Sequence, residues 1–245
     1  MFQSVTINLL CILLSMFSIN SDKNMKEFAK DTYQLSSGKS ISIEFYSHAS
    51  ICINYDGMRI YVDPIGEYAD YSSMPKADIV LVTHEHYDHF DEQAIFDLTK
   101  ESTELIANPN TVKLFNGGMA LKNGESTERN GVKIKAFSAY NTTEGRDKFH
   151  PKNRDNGYLL MIEDFRIYIS GDTEIVEQSE EIINCDILFL AVNQPYTMTI
   201  EQAKRYAKMI SPEVFYPYHT TDTDMKQLER EFRQFDFTTI IHDMP

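Results

Sequence analysis

Hydrophobic positions in this chain fall into short runs separated by turn residues, a spacing that predicts strands more often than helices. Residues 41–46 and 50–55 alternate or run apolar. Asp56-Gly57 then turns the chain into Met58-Arg59-Ile60-Tyr61-Val62, a hairpin signal closed by Asp63-Pro64. The wholly apolar Ile79-Val80-Leu81-Val82 predicts a buried strand. A helix beginning near Asp91 is expected next, with Ile95, Phe96 and Leu98 as its apolar side. Leu105-Ile106-Ala107 reads as a short strand, and residues 109–115 as a short helix stopped by Gly117-Gly118.

The second half repeats this plan. Residues 132–137, 158–162 and 165–169 read as strands, Gly171-Asp172-Thr173 breaks the pattern, and a helix is expected around 174–183. Residues 187–192 make the next buried strand. Thr199 and Gln202 form a capping box for a helix to Ile210, with Ile200, Ala203, Ala207 and Ile210 on one face. Pro212 ends it, and Val214-Phe215-Tyr216 leads to Pro217-Tyr218-His219. Strands first, then strand–helix alternation, twice over, predict an α/β fold of two sheets packed face to face with helices outside.

The amino terminus stands apart. Residues 5–19 are almost wholly apolar, and no charge precedes Asp22. Such a run is shorter than the ~20 residues a membrane-spanning helix needs. Followed by the polar Asn20-Ser21-Asp22-Lys23-Asn24, it reads as the hydrophobic part of a signal peptide, although the usual positive start is missing. The expected organisation is a leader over 1–21, an amino-terminal extension over 22–40 and one domain over 41–245. The protein is then exported, to the periplasm or beyond, with no stable membrane span in the mature chain; without a cleaved leader it is cytoplasmic. Cys52 and Cys185 lie in apolar strand-like segments and read as core rather than ligands.

Charge narrows the partners. A net charge of −14 argues against nucleic acid, because phosphate binding needs clustered Lys and Arg. A small anionic substrate stays compatible, since bound dications reverse the local sign. Oligomer formation is open.

The densest chemistry directly follows the strand at 79–82. Thr83-His84-Glu85-His86-Tyr87-Asp88-His89 reads His-x-His-x-Asp-His and holds three of the chain's seven histidines. Side chains at the carboxyl end of a strand are where α/β sheets present chemistry. The spacing does not suit one closed structural zinc site, because His84 and His86 point the same way while Asp88 and His89 continue around a turn. It suits two adjacent metals, each needing ligands from elsewhere. Candidates stand at other strand exits: Asp172, aimed by the turn that Gly171 permits; His219, after 214–216; and His150, in a polar loop between strands. His48 and His242 fall outside this pattern and receive no role. Arg146, Lys148, Lys152 and Arg154 around His150 read either as a clamp for a substrate carboxylate or phosphate, or as a solvated loop balanced by Asp147 and Asp155. Tyr196 and Tyr218 are candidates for a general acid or oxyanion donor, or for packing.

The order His84-x-His86-x-Asp88-His89, His150, Asp172, His219 resembles the five-motif pattern of the metallo-β-lactamase superfamily, and Asp63 in Tyr61-Val62-Asp63-Pro64 matches its first motif. The resemblance runs from about Ile41 to Asp243. More narrowly, Ala139-Tyr140-Asn141, His150-Pro151, Gly157-Tyr158, Tyr168-x-Ser170-Gly171-Asp172-Thr173, Tyr196-Thr197-Met198-Thr199 and Pro217-x-His219 are similar to the L-ascorbate-6-phosphate lactonase-like branch of metal-dependent hydrolases. One departure stands out: Val192-Asn193-Gln194-Pro195 occupies a place where that branch often has a Gly-Gly pair.

The resemblance implies an αββα four-layer sandwich. One metal would take His84, His86 and His150; the second would take Asp88, His89 and His219, with Asp172 bridging. Two divalent ions are implied, zinc first and manganese as the other candidate. Hydroxide activated between them would hydrolyse an ester, lactone, amide or phosphodiester of a small molecule. Asp88 and Asp172 would hold the nucleophile, and Asp63 would orient a ligand histidine. The alternative is a mononuclear-iron oxidoreductase of persulfide-dioxygenase type, built on the same loop.

Overall fold

The structure, a computed structural model, describes residues 27–177 and 180–244. The expected leader lies outside them. Among the described residues no helix is long and apolar enough to cross a membrane.

Two seven-stranded sheets share one plan. In the first, β1 (Ala29–Gln34), β2 (Ser40–Ser47), β3 (Ser50–Tyr55) and β4 (Met58–Val62) run antiparallel in order. Then β5 (Ile79–Val82), β6 (Glu104–Ala107) and β7 (Met119–Ala120) continue in parallel. The second sheet repeats it. Strands β8 (Ser126–Arg129), β9 (Val132–Ala139), β10 (Asp155–Ile162) and β11 (Phe165–Ile169) are antiparallel, and β12 (Ile187–Ala191), β13 (Val214–Tyr218) and β14 (Thr238–Thr239) parallel. Helices α1 (Glu92–Leu98) and α2 (Pro109–Phe115) belong to the first half, and α3 (Ile200–Ile210) and α4 (Met225–Phe232) to the second.

Burial shows why the layers stack. Inward residues of both sheets, among them Ile43, Ile51, Ile60, Leu81, Ile134, Leu160, Ile169 and Phe189, form one core between them. The outer face of the first sheet buries Val80 and Val82 against Ile95 and Leu98 of α1. The outer face of the second buries Leu188 and Leu190 against Ala203, Tyr206 and Ala207 of α3 and Leu228 of α4. The central strands β5 and β12 are therefore apolar at every position, as their sequences require. The αββα sandwich is the architecture that the sequence predicts.

Several local expectations hold. Asp56 and Gly57 both have positive φ, 49° and 83°, in the two-residue hairpin turn. The capping box of α3 is formed, with the Thr199 side chain accepting from Gln202 and the Gln202 side chain accepting from Thr199. Others need correction. Phe96 is 56% exposed, and α1 buries Ala94, Ile95 and Leu98 instead. Helix α2 is stopped by Asn116, in the left-handed conformation, one residue ahead of the glycine pair. Around 174–183 the described residues form only a 3-10 turn, Glu180–Ile182. Strand β1 lies within the stretch read as an extension; its faces alternate between exposed and half-buried, so no apolar run announces it.

Candidate metal centre

One edge of the sandwich receives all the exits that matter. The segments after β4, β5, β11 and β13, the loop between β9 and β10 and the hairpin between β2 and β3 converge there. Hydrogen bonds stitch the two sheets at this edge. The Asn156 N–H donates to the Thr83 carbonyl (3.1 Å), the Tyr158 hydroxyl to the Val82 carbonyl (2.8 Å), and the His219 N–H to the His48 carbonyl (2.9 Å).

The His-x-His-x-Asp-His loop starts where β5 ends. Behind it lies Asp63, fully buried with φ 44°, accepting from the Thr83 N–H (2.8 Å), the Thr83 hydroxyl (2.8 Å) and the His89 ring Nδ1 (2.8 Å). The Thr83 hydroxyl in turn lies 3.0 Å from His84 Nδ1. A carboxylate can only accept, so His89 carries a proton on Nδ1 and turns Nε2 towards the opposite side. His150 is fixed in the same way, its Nδ1 facing Asn141 Oδ1 (2.9 Å) and the Tyr196 carbonyl (3.2 Å). Asn193, from the departing segment, places its amide 3.5 Å from His219 Nδ1.

The forward-facing atoms converge. His84 Nε2 and His86 Nδ1 lie 3.0 Å apart. Asp172 Oδ2 is 3.3 Å from His150 Nε2 and 3.3 Å from His219 Nε2, while its Oδ1 is 3.4 Å from His89 Nε2. Asp88 Oδ2 is 3.6 Å from His219 Nε2 and 4.0 Å from His89 Nε2. Three sets have their donor atoms mutually within 4.8 Å: His84, His86 and His150; His48, Asp88, His89 and His219; and His84, His89 and Asp172. The structure thus brings together every residue that the resemblance points to, and adds His48.

Nε2 of His89, His150 and His219 and Oδ1 of Asp172 are buried with no hydrogen-bond partner. These four lie together where the candidate ligands face one another, which fits a site that a bound group completes. An N- and O-donor set of this kind, with its ring nitrogens and carboxylate oxygens turned towards one another, fits divalent cations. Electrostatics agree. Burial holds His84 and His86 below the ordinary imidazole range and pushes His150 down to about 4, so these rings are neutral and ready to ligate. Burial opposes charging His89 and His219 too, but Asp172, with Asp63 beside the one and Asp88 beside the other, overrides it. His89 is held well above its usual value and His219 is raised to about 9. Against burial, His219 holds Asp88 and Asp172 ionised, helped by His48 at the one and His89 at the other. Protons therefore stand where cations would, and a metal entering the second set has to displace them.

The rim is partly committed. Arg146 pairs with buried Glu174 (3.2 Å) and Arg154 with buried Asp155 (2.6 Å), while Lys148 and Lys152 lie over the rings of Phe149 and Tyr140. Of the four basic residues, Arg154 reaches the centre, with Nη2 3.2 Å from His86 Nε2. Tyr218 is structural, its buried hydroxyl accepting the Gly171 N–H (3.0 Å). Tyr196 stands half-exposed against Phe149, ring centroids 4.9 Å apart. His242 is remote, bonded to Asp31 (2.7 Å).

Comparison with known proteins adds a family. A family model described as a beta-lactamase superfamily domain matches residues 42–219. A crystal structure of a metal-dependent hydrolase from Parabacteroides distasonis is 46% identical and superposes with a TM-score of 0.87, covering 89% of this chain and all of its own. A UPF0173 metal-dependent hydrolase of Lawsonia intracellularis is 26% identical over 213 residues, 79% of this chain and 90% of the relative. Igni18, a metallo hydrolase from Ignicoccus hospitalis, is 20% identical with a TM-score of 0.70, over 83% of this chain and 95% of that one; it shares the fold.

Proposed function

The chain belongs to the beta-lactamase superfamily and is a metal-dependent hydrolase of the metallo-β-lactamase fold, and on that premise we propose that it works through two cations held on either side of Asp172. The observation that carries this reading is the placement of Asp172, whose two oxygens face histidines of both donor sets. His84, His86 and His150 would hold the first ion, Asp88, His89 and His219 the second, with Asp172 between. Zinc suits this mixture of imidazole and carboxylate, and manganese is the other candidate. When bound, the pair supplies a water acidic enough to ionise near neutrality and a Lewis acid for the scissile oxygen, the requirements for cleaving an ester, lactone, amide or phosphodiester.

The chain's own residues do the rest. Asp63 and Thr83 hold the rings of His84 and His89 from behind. Asn141 holds His150. Tyr196, half-exposed on the rim, would meet a leaving group, and Arg154, whose Nη2 reaches His86, would meet an anionic part of a small substrate. A mononuclear-iron oxidoreductase would use one donor set and leave the other, complete with His219, without a purpose.

Metal content tests the proposal. Protein purified without added metal should carry two divalent ions per chain by mass spectrometry, and His86→Ala should lose metal sharply. One iron per chain, or undiminished metal in the variant, would overturn the two-cation mechanism. With two ions found, lactones, esters and phosphodiesters are the substrates to screen, comparing chelated and reloaded protein.

A further inference from the structure

We infer that His48 is a positioning residue for the second cation set, holding Asp88 and His219 in register. The inference rests on the two-cation reading and assigns a role to a histidine that lies outside every ligand motif.

Backbone and ring point the same way. His48 occupies the two-residue turn between β2 and β3 with φ 55°, in the left-handed region that a residue with a side chain seldom adopts. Strain of that kind persists where the surroundings impose it, and here the imposition is visible. The His48 carbonyl accepts the N–H of His219, which itself has φ 51°, so two unusual residues from different sheets are locked by one 2.9 Å bond. The ring continues the contact. Its centroid lies 3.6 Å from that of His219 and 5.7 Å from that of His89, and Tyr68 closes the far side at 5.8 Å.

The polar tip settles the chemistry. His48 Nε2 is 3.2 Å from Asp88 Oδ2, the oxygen that also faces His219 and His89. A carboxylate at this place can only accept, so His48 donates from Nε2. A carboxylate carrying such a bond cannot rotate its oxygen away from the second set without breaking it. His48 therefore acts on Asp88 through the hydrogen bond and on His219 through the backbone bond and the tilted ring contact. It is a positioning residue rather than a fourth ligand.

The test compares His48→Ala and His48→Gln with the wild type by calorimetric zinc titration of chelated protein, with circular dichroism as the check on folding. Removing a partner that orients a ligand typically weakens metal binding about 10- to 100-fold. The expected result is two binding steps in the wild type, a second step weakened by that factor in His48→Ala with the first unchanged, and substantial recovery in His48→Gln, whose amide N–H can replace Nε2–H. The cobalt-loaded Gln variant should keep the wild-type visible spectrum, because the ligands are the same. Unchanged steps in a folded His48→Ala, or equal weakening of both, would overturn the role. A Gln variant that binds as poorly as Ala, with an altered cobalt spectrum, would make His48 a ligand. If Ala fails to fold, the Gln variant decides alone: wild-type-like steps and spectrum support positioning, and a lost second step refutes it. A wild type with one step would instead remove the two-cation reading, and with it the second cation that His48 is inferred to serve.

Discussion

Asp63 concentrates what a single residue does for this centre. It accepts three hydrogen bonds in complete burial, two from Thr83 and one from His89. Asp63→Asn keeps the shape and tolerates the left-handed backbone, but it puts a donor where acceptors are needed and sets the His89 tautomer wrong. Zinc affinity should fall about 10- to 100-fold while the fold survives, as titration of the chelated variant would show; an unchanged affinity would deny Asp63 its orienting role. Gly171 is a second such point. At φ 61°, an added Cβ would sit 2.5 Å from the Asn156 carbonyl oxygen, so Gly171→Ala must move either the Asp172 turn or β10. A loss of about 1–3 kcal/mol in denaturant unfolding is expected, accompanied by weaker metal binding. Both residues were legible in the sequence, Asp63 through its motif and Gly171 through its place before a strand-end aspartate. His48 was not. One histidine in a hairpin has no spacing that separates it from a surface residue, and its importance comes from a contact with His219, 171 positions further along the chain by the numbering. Asn193 was visible as a departure in its segment, but its position behind His219 needed the fold.

At the scale of elements, legibility followed burial. Strands β5 and β12 are buried at every position and were apparent as apolar runs, and α3 announced itself through both its cap and its apolar face. The strands that no sequence pattern announces, β1, β7, β8 and β14, lie at the sheet edges, where exposed positions dilute the pattern, and β7 and β14 contain two residues each. Helix α4 is equally faint in the sequence: its cap, Asp224, accepts from Lys226 and Gln227, but only Leu228 and Phe232 are buried among its eight residues. Caps of this kind stabilise elements without touching the chemistry. Thr199→Ala should therefore cost about 1 kcal/mol in unfolding free energy. Its metal content should stay at the wild-type value, because α3 packs on the outer face of the second sheet, away from the ligands. Metal loss in that variant would mean that the outer layer controls the centre, contrary to the layered packing.

For the whole molecule, the centre is a clasp between two similar halves. Asp63, His84, His86, Asp88 and His89 come from the first sheet and its loops; His150, Asp172 and His219 come from the second. Without cations the clasp is closed by protons, and that gives its stability a definite pH profile. His219 titrates at about 9 when folded, above the ~6.5 of an unperturbed imidazole, so its contribution is complete below about 6.5 and is lost as pH rises through 9. His89 shifts in the same direction. His150 shifts the other way, to about 4, so its contribution is present above about 6.5 and is lost as pH falls towards 4. The thermal midpoint of the chelated protein should accordingly peak near pH 6.5 and decline on both sides, measured by calorimetry between pH 4 and 9. Zinc should change the alkaline limb. It replaces the protons on His89 and His219, so its affinity rises with pH across that limb, and the loaded protein should hold its midpoint where the chelated one falls. At a free concentration about 1,000 times Kd, binding to the folded chain alone contributes about 4 kcal/mol, enough to be plain in the melting curves. Parallel profiles with and without zinc from pH 6.5 to 9 would mean that the cations and the His219 and His89 protons do not compete for one place, and the assignment of the second set would fail.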